Sequence, residues 1–156
     1  MNRFRFGLAL LGLLPALALA VPPATADSPR SKTVDGIEID WGLMSGAALA
    51  RSGNTAERAM HGGVERGPRE YHLTVSLTNT ATGRQIRDAR VEAEMFQIGL
   101  SGSWKPLPPM HIGTTVTYGN YFRMNEASPL PYRIVVRIRI PHRRGSITTE
   151  LTHYHE

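Results

Sequence analysis

Residues 132–140 read YRIVVRIRI. Tyr132, Ile134, Val136, Ile138 and Ile140 are large and apolar, and Arg133, Arg137 and Arg139 fall between them. A period of two puts the apolar set on one face of an extended chain and the guanidinium groups on the other. A helix would scatter both sets around its circumference. This stretch is a half-buried β-strand.

The same pattern recurs on both sides. In residues 71–78 (YHLTVSLT), Leu73, Val75 and Leu77 alternate with His72, Thr74 and Ser76. In residues 86–97, Ala89, Val91, Ala93 and Met95 alternate with Arg90, Glu92 and Glu94. Residues 34–44 place Ile37, Ile39 and Trp41 at alternate positions, and residues 146–155 do so with Ile147, Leu151, His153 and His155. Residues 104–107 suit a short edge piece. Turn chemistry separates the runs at 79–83 (NTATG), 100–103, 125–131 and 141–145 (PHRRG). About seven short strands with turns between them predict an all-β fold, an antiparallel sandwich over residues 34–156. Its core should include Leu73, Val75, Leu77, Val91, Ile134, Val136 and Ile138.

The start of the chain has a different character. Arg3 and Arg5 precede an apolar run from Phe6 to Ala20, and Ala24-Thr25-Ala26 is a small-x-small site before Asp27. Residues 1–26 therefore read as a secretory signal peptide, cleaved on export to a periplasm or beyond. Pro15 interrupts the run, which is shorter than the ~20 residues that a span requires. No membrane span is expected in the mature chain. Residues 27–33 are expected to form a tether. Residues 45–69 are rich in Gly, Ala and Arg. A short helix fits from Ala47 to Met60, but Gly53-Asn54 would interrupt it. This segment is expected to be a long mobile loop, and it carries His61.

Composition narrows the function. The 156 residues include no cysteine and carry a formal charge of +5, all but two of the cations being Arg. Disulfides, thiolate metal sites and Cys nucleophiles are excluded together. The basic residues form no single stripe, so no nucleic-acid partner is expected. There is no phosphate-binding Gly-rich loop, no G-x-S-x-G and no H-E-x-x-H, and no carboxylates form a recognisable acid/base pair. An enzyme is not expected.

His and Met carry the remaining chemistry. Residues 107–124 read LPPMHIGTTVTYGNYFRM. Pro108 and Pro109 should stop any regular element just before Met110 and His111. A thioether and an imidazole held side by side suit copper. Equally, Met110 and Met124 suit gap-filling in a β-core, with His111 at the surface. His153 and His155, two apart on a strand, point to the same face and could share one metal, or they belong to a frayed polar terminus. His72 lies on the non-core face of its strand, as a ligand or as a solvent-facing residue. His142 sits among cations and is set aside.

From Ile37 onward the chain resembles the periplasmic copper- and iron-binding accessory proteins of bacterial high-affinity iron uptake. The residues that carry the resemblance are Ile37-Glu38-Ile39, His72-Leu73, Leu107-Pro108-Pro109-Met110, Tyr118-Gly119-Asn120 and the strand from Tyr132 to Pro141. The resemblance implies an immunoglobulin-like sandwich and pairing into a homodimer. It also implies a role in metal uptake or homeostasis beside a membrane transporter or another periplasmic protein. That family's site uses a His and a Glu two apart on one strand, a Met after a Pro, a His before the Tyr-Gly, and a late His. Here His72 and Met110 match. Thr74 stands where the Glu would be and Thr117 where the His before Tyr-Gly would be. The expected copper ligands are therefore His72 and Met110, completed from His111, His153 and His155. The competing expectation is a non-catalytic exported module that binds a protein partner without metal.

Overall fold

The computed structural model describes residues 30–52, 63, 67, 69–125, 127 and 129–154. The expected signal peptide, His61 and His155 lie outside these residues, as does most of the expected loop at 45–69. Among the described residues, ten strands and one short helix follow in the order β1 (Ser31–Val34), β2 (Ile37–Ser45), α1 (Gly46–Arg51), β3 (Glu70–Asn79), β4 (Arg84–Gln85), β5 (Arg90–Gln97), β6 (Lys105–Leu107), β7 (Pro109–Ile112), β8 (Thr115–Arg123), β9 (Tyr132–Arg139) and β10 (Ile147–His153).

The strands form two antiparallel sheets. One runs β1-β2-β3-β8-β7, with β4 paired to β3; the other runs β10-β9-β5-β6. With β1, β4 and β6 set aside, the other seven strands in chain order are arranged 1-2-5-4 and 7-6-3. That is the immunoglobulin arrangement. Ile39, Trp41, Leu73, Val75, Leu77, Val116 and Tyr118 of the first sheet meet Val91, Ala93, Ile134, Val136, Ile138 and Leu151 of the second in one core. Each large aliphatic side chain so buried contributes roughly 1.5–3 kcal/mol, which is how a chain without disulfides holds together. All the core residues expected from alternation are buried there.

Side chains close the sandwich where strands cannot. Tyr118 of β8 donates to the Ile86 carbonyl (3.1 Å) and accepts from the Ala89 amide (3.0 Å). It thereby holds the irregular run before β5, which alternation had assigned to the strand. Gln85 uses both ends of its amide on the backbone of Val116, at 2.8 and 2.9 Å. At the corner leading into β9 the Asn125 amide donates to the Tyr132 hydroxyl at 2.7 Å, the position of a tyrosine corner in immunoglobulin domains.

Two expectations need correction. Ser31 and Lys32, expected in a tether, begin β1, which pairs with β2 through a turn at Asp35 (φ 52°) and Gly36 (φ 76°). Positive φ at both central residues is the hairpin geometry that Asp-Gly favours. Pro108-Pro109 does not exclude regular structure, since β7 starts at Pro109. It is the last strand of its sheet, where a missing N–H costs no ladder bond. The short helix that fits after β2 is α1, with the Ser45 hydroxyl accepting from the Ala48 amide at 3.2 Å. That is an N-cap that satisfies one orphan donor. Leu49 of α1 is fully buried.

Candidate metal centre

Alternation along β2, β3 and β8 leaves an outer face on the larger sheet, away from the core. On it stand Gly42 and Met44 of β2, Glu70, His72 and Thr74 of β3, and Thr117, Gly119 and Tyr121 of β8. The register sets their rows. Met44 lies opposite His72, and His72 opposite Tyr121; Gly42 lies opposite Thr74, and Thr74 opposite Gly119. Met110 of β7 lies opposite Thr117. Gly119 is thus diagonal to both His72 and Met110.

That diagonal is filled. A Cβ on Gly119 would lie 2.7 Å from Met110 Cε and 3.0 Å from His72 Nε2. An imidazole nitrogen and a thioether side chain therefore converge over one glycine that supplies no side chain of its own. Both are buried, His72 to 2% exposure and Met110 to 3%. The His72 ring also packs on Tyr121, with centroids 4.8 Å apart. Met124 belongs to the main hydrophobic cluster between the sheets, whereas Met110 is buried outside it. Gap-filling in the core accounts for the first methionine and not for the second.

The two threonines border the same place. Thr74 Oγ1 reaches the Gly42 carbonyl only at 3.4 Å. Thr117 Oγ1 is buried and has no hydrogen-bond partner among the described residues. Alternation alone did not single out Glu70, two residues before His72 on the same strand face. Its carboxylate is mostly buried and accepts from Arg123 Nε at 2.7 Å. The signal for it is a carboxylate at the same parity as His72, whereas the resemblance points to position 74.

The other expected donors are not brought to this place. His111 is exposed and lies opposite Val116, so it points to the other side of β7 from Met110. His153 is on β10 of the second sheet, opposite Tyr132, on the strand face that carries Leu151. Its position on the core side of the other sheet separates it from an outer-face site. His142 sits exposed in the β9–β10 turn with φ 63°. Among the described residues no cluster of three or more His, Asp or Glu could hold a metal. A site here rests on one imidazole and on thioether sulfur. That donor set suits a soft monovalent ion and not one that needs oxygen ligands.

No sequence-family model matches the chain, and no curated protein matches it. Solved structures do. A DUF4426 family protein from Pseudomonas aeruginosa is similar at TM-score 0.57 and 11% identity, over 80% of this chain and 91% of that one. FetP of uropathogenic Escherichia coli, recombinantly expressed in the periplasm, is similar at TM-score 0.55 and 13% identity, over 80% and 92%. A copper-bound variant of the Campylobacter jejuni protein P19 is similar at TM-score 0.58 and 10% identity, over 80% and 92%. The chain shares their fold and resembles the copper and iron accessory proteins distantly.

Proposed function

We propose that this chain is an exported protein that binds a copper ion on the outer face of its larger sheet and carries or buffers it. His72 and Met110 are the donors from which the site is built. The observation that carries this is their convergence over Gly119, both buried and both outside the main cluster between the sheets. Burying an imidazole on a non-core sheet face is unusual for a group that water solvates well; a bound ion gives it a purpose. The copper-bound P19 variant among the similar structures supports the same ion.

Cu(I) fits best. Thioether and imidazole are neutral donors, the chain has no thiolate, and Thr74 and Thr117 offer only hydroxyls where a carboxylate and an imidazole would favour a harder ion. Among the described residues no helix is long and apolar enough to cross a membrane. The amino-terminal pattern supports export to a periplasm, where such a protein would pass its ion to a transporter or to another periplasmic protein. The test is metal analysis of mature protein purified from a periplasm without an affinity tag. Copper near one equivalent is expected. Protein without copper that also takes none up on exposure to Cu(I) would overturn the proposal.

A further inference from the structure

His72 and Met110 are almost inaccessible to water, so an ion needs a route to them. Met44 stands at the start of one. It lies directly opposite His72 across the β2–β3 ladder, on the same sheet face. Directly opposed residues have Cβ atoms about 4.5–5.5 Å apart. Unlike the two donors, Met44 is 41% exposed. With His72, Thr74 and the α1 residue Leu49 it lines a cavity of about 80 Å3 between helix and sheet. Core packing does not explain it, since its neighbour Leu43 is the residue turned toward the core. What sets Met44 apart is its place: a thioether at the mouth of a cavity walled by His72.

We infer that Met44 is the first donor a Cu(I) ion meets, and that the ion passes from it through the cavity beneath α1 to His72, beyond whose ring Met110 completes the site. This rests on the copper reading above. The flexible, polarisable thioether captures a soft ion without a charge that would also attract hard divalent cations. Arg30 on the cavity wall repels a monovalent ion less than a divalent one. Met44 itself stays on the β2 side of His72, whereas Nε2 faces Gly119 on the β8 side. It therefore serves uptake and is not part of the final coordination.

The test is stopped-flow uptake of Cu(I) from a weak Cu(I) complex by the mature chain, its Met44→Leu variant and its Met110→Leu variant. Equilibrium competition and X-ray absorption are measured on the same samples. Met44→Leu should slow uptake about tenfold, within the span over which association rates vary among variants of one interface. It should leave the equilibrium affinity and the number of sulfur neighbours unchanged. Met110→Leu should instead weaken equilibrium binding and remove a sulfur. An unchanged uptake rate in Met44→Leu would overturn this inference alone. So would a lost sulfur or a parallel fall in affinity, which would make Met44 a permanent ligand. An unaltered protein that takes up no copper would overturn both this inference and the copper reading.

Discussion

His72 and Met110 approach one glycine from the strands on either side of β8, with Nε2 and Cε at 3.0 and 2.7 Å from the point where a Cβ on Gly119 would stand. The absence of a side chain at 119 is thus a condition of the site. A methyl there would also lie 2.8 Å from the Leu73 carbonyl oxygen, which belongs to the β3 backbone and cannot swing aside. Gly119→Ala is expected to destabilise the protein by about 1–3 kcal/mol, as overpacking does. It should weaken copper binding more than Met110→Leu, because it displaces both donors. Urea unfolding and Cu(I) competition on both variants check this.

The core prediction concerns Val136, which is fully buried in the middle of β9. Val136→Asp would place an unpaired carboxylate between the sheets and should cost about 3–5 kcal/mol. Thermal unfolding followed by circular dichroism reads this directly. A variant that melts with the unaltered protein would contradict the packing.

Tyr118 yields a prediction with a pH dependence. Burial raises its pKa above the usual 10.0, the Asp88 charge adds to that, and the Ala89 hydrogen bond opposes it. The folded value exceeds the unfolded one, so its contribution is fully present below pH 10 and is lost as pH rises through the folded value. Tyr118→Phe leaves the Ala89 amide and the Ile86 carbonyl without this partner and should cost about 1–3 kcal/mol at neutral pH. Its stability should then fall less steeply above pH 10 than that of the unaltered protein. Denaturant unfolding at pH 7 and at alkaline pH tests both statements.

Export has its own check. Intact-mass measurement of the secreted form should give a chain that starts at Asp27, or at Val21 if Ala18-Leu19-Ala20 is the cleavage site. A full-length chain recovered from the cytosol would contradict export.

Alternation made the framework strands legible because one face of each is buried, as Ile134, Val136 and Ile138 show. It was less informative where a strand is short or lies at an edge. β1 was hidden because its pairing depends on the Asp35-Gly36 turn, a local signal, and not on any apolar period in SKTV. β7 was hidden because Pro109 suppresses a central strand but not an edge strand. The site was legible only in part. Parity placed His72 on the outer face but says nothing about which strand lies alongside. Met110 stands out locally beside His111, but its pairing with His72 came from the resemblance, since β7 and β3 are separated by β8 and no local pattern links them. His111 was attractive as the chain neighbour of Met110, yet adjacent residues on a strand face opposite ways. The same rule, applied with the strand order known, brings Met44 beside His72.

The most direct measurement is competition titration of Cu(I) against the unaltered protein, Met110→Leu and His72→Ala. Met110→Leu roughly conserves volume and should keep folding within ~1.5 kcal/mol, so a loss of affinity reports the lost sulfur. Binding should also weaken at acid pH, because imidazole must be neutral to coordinate. The account predicts copper binding by the unaltered protein and weaker binding by both variants. If the three bind alike, or the unaltered protein binds no copper above background, the outer-face site is not a copper site. The fold then serves as a module that binds a protein partner.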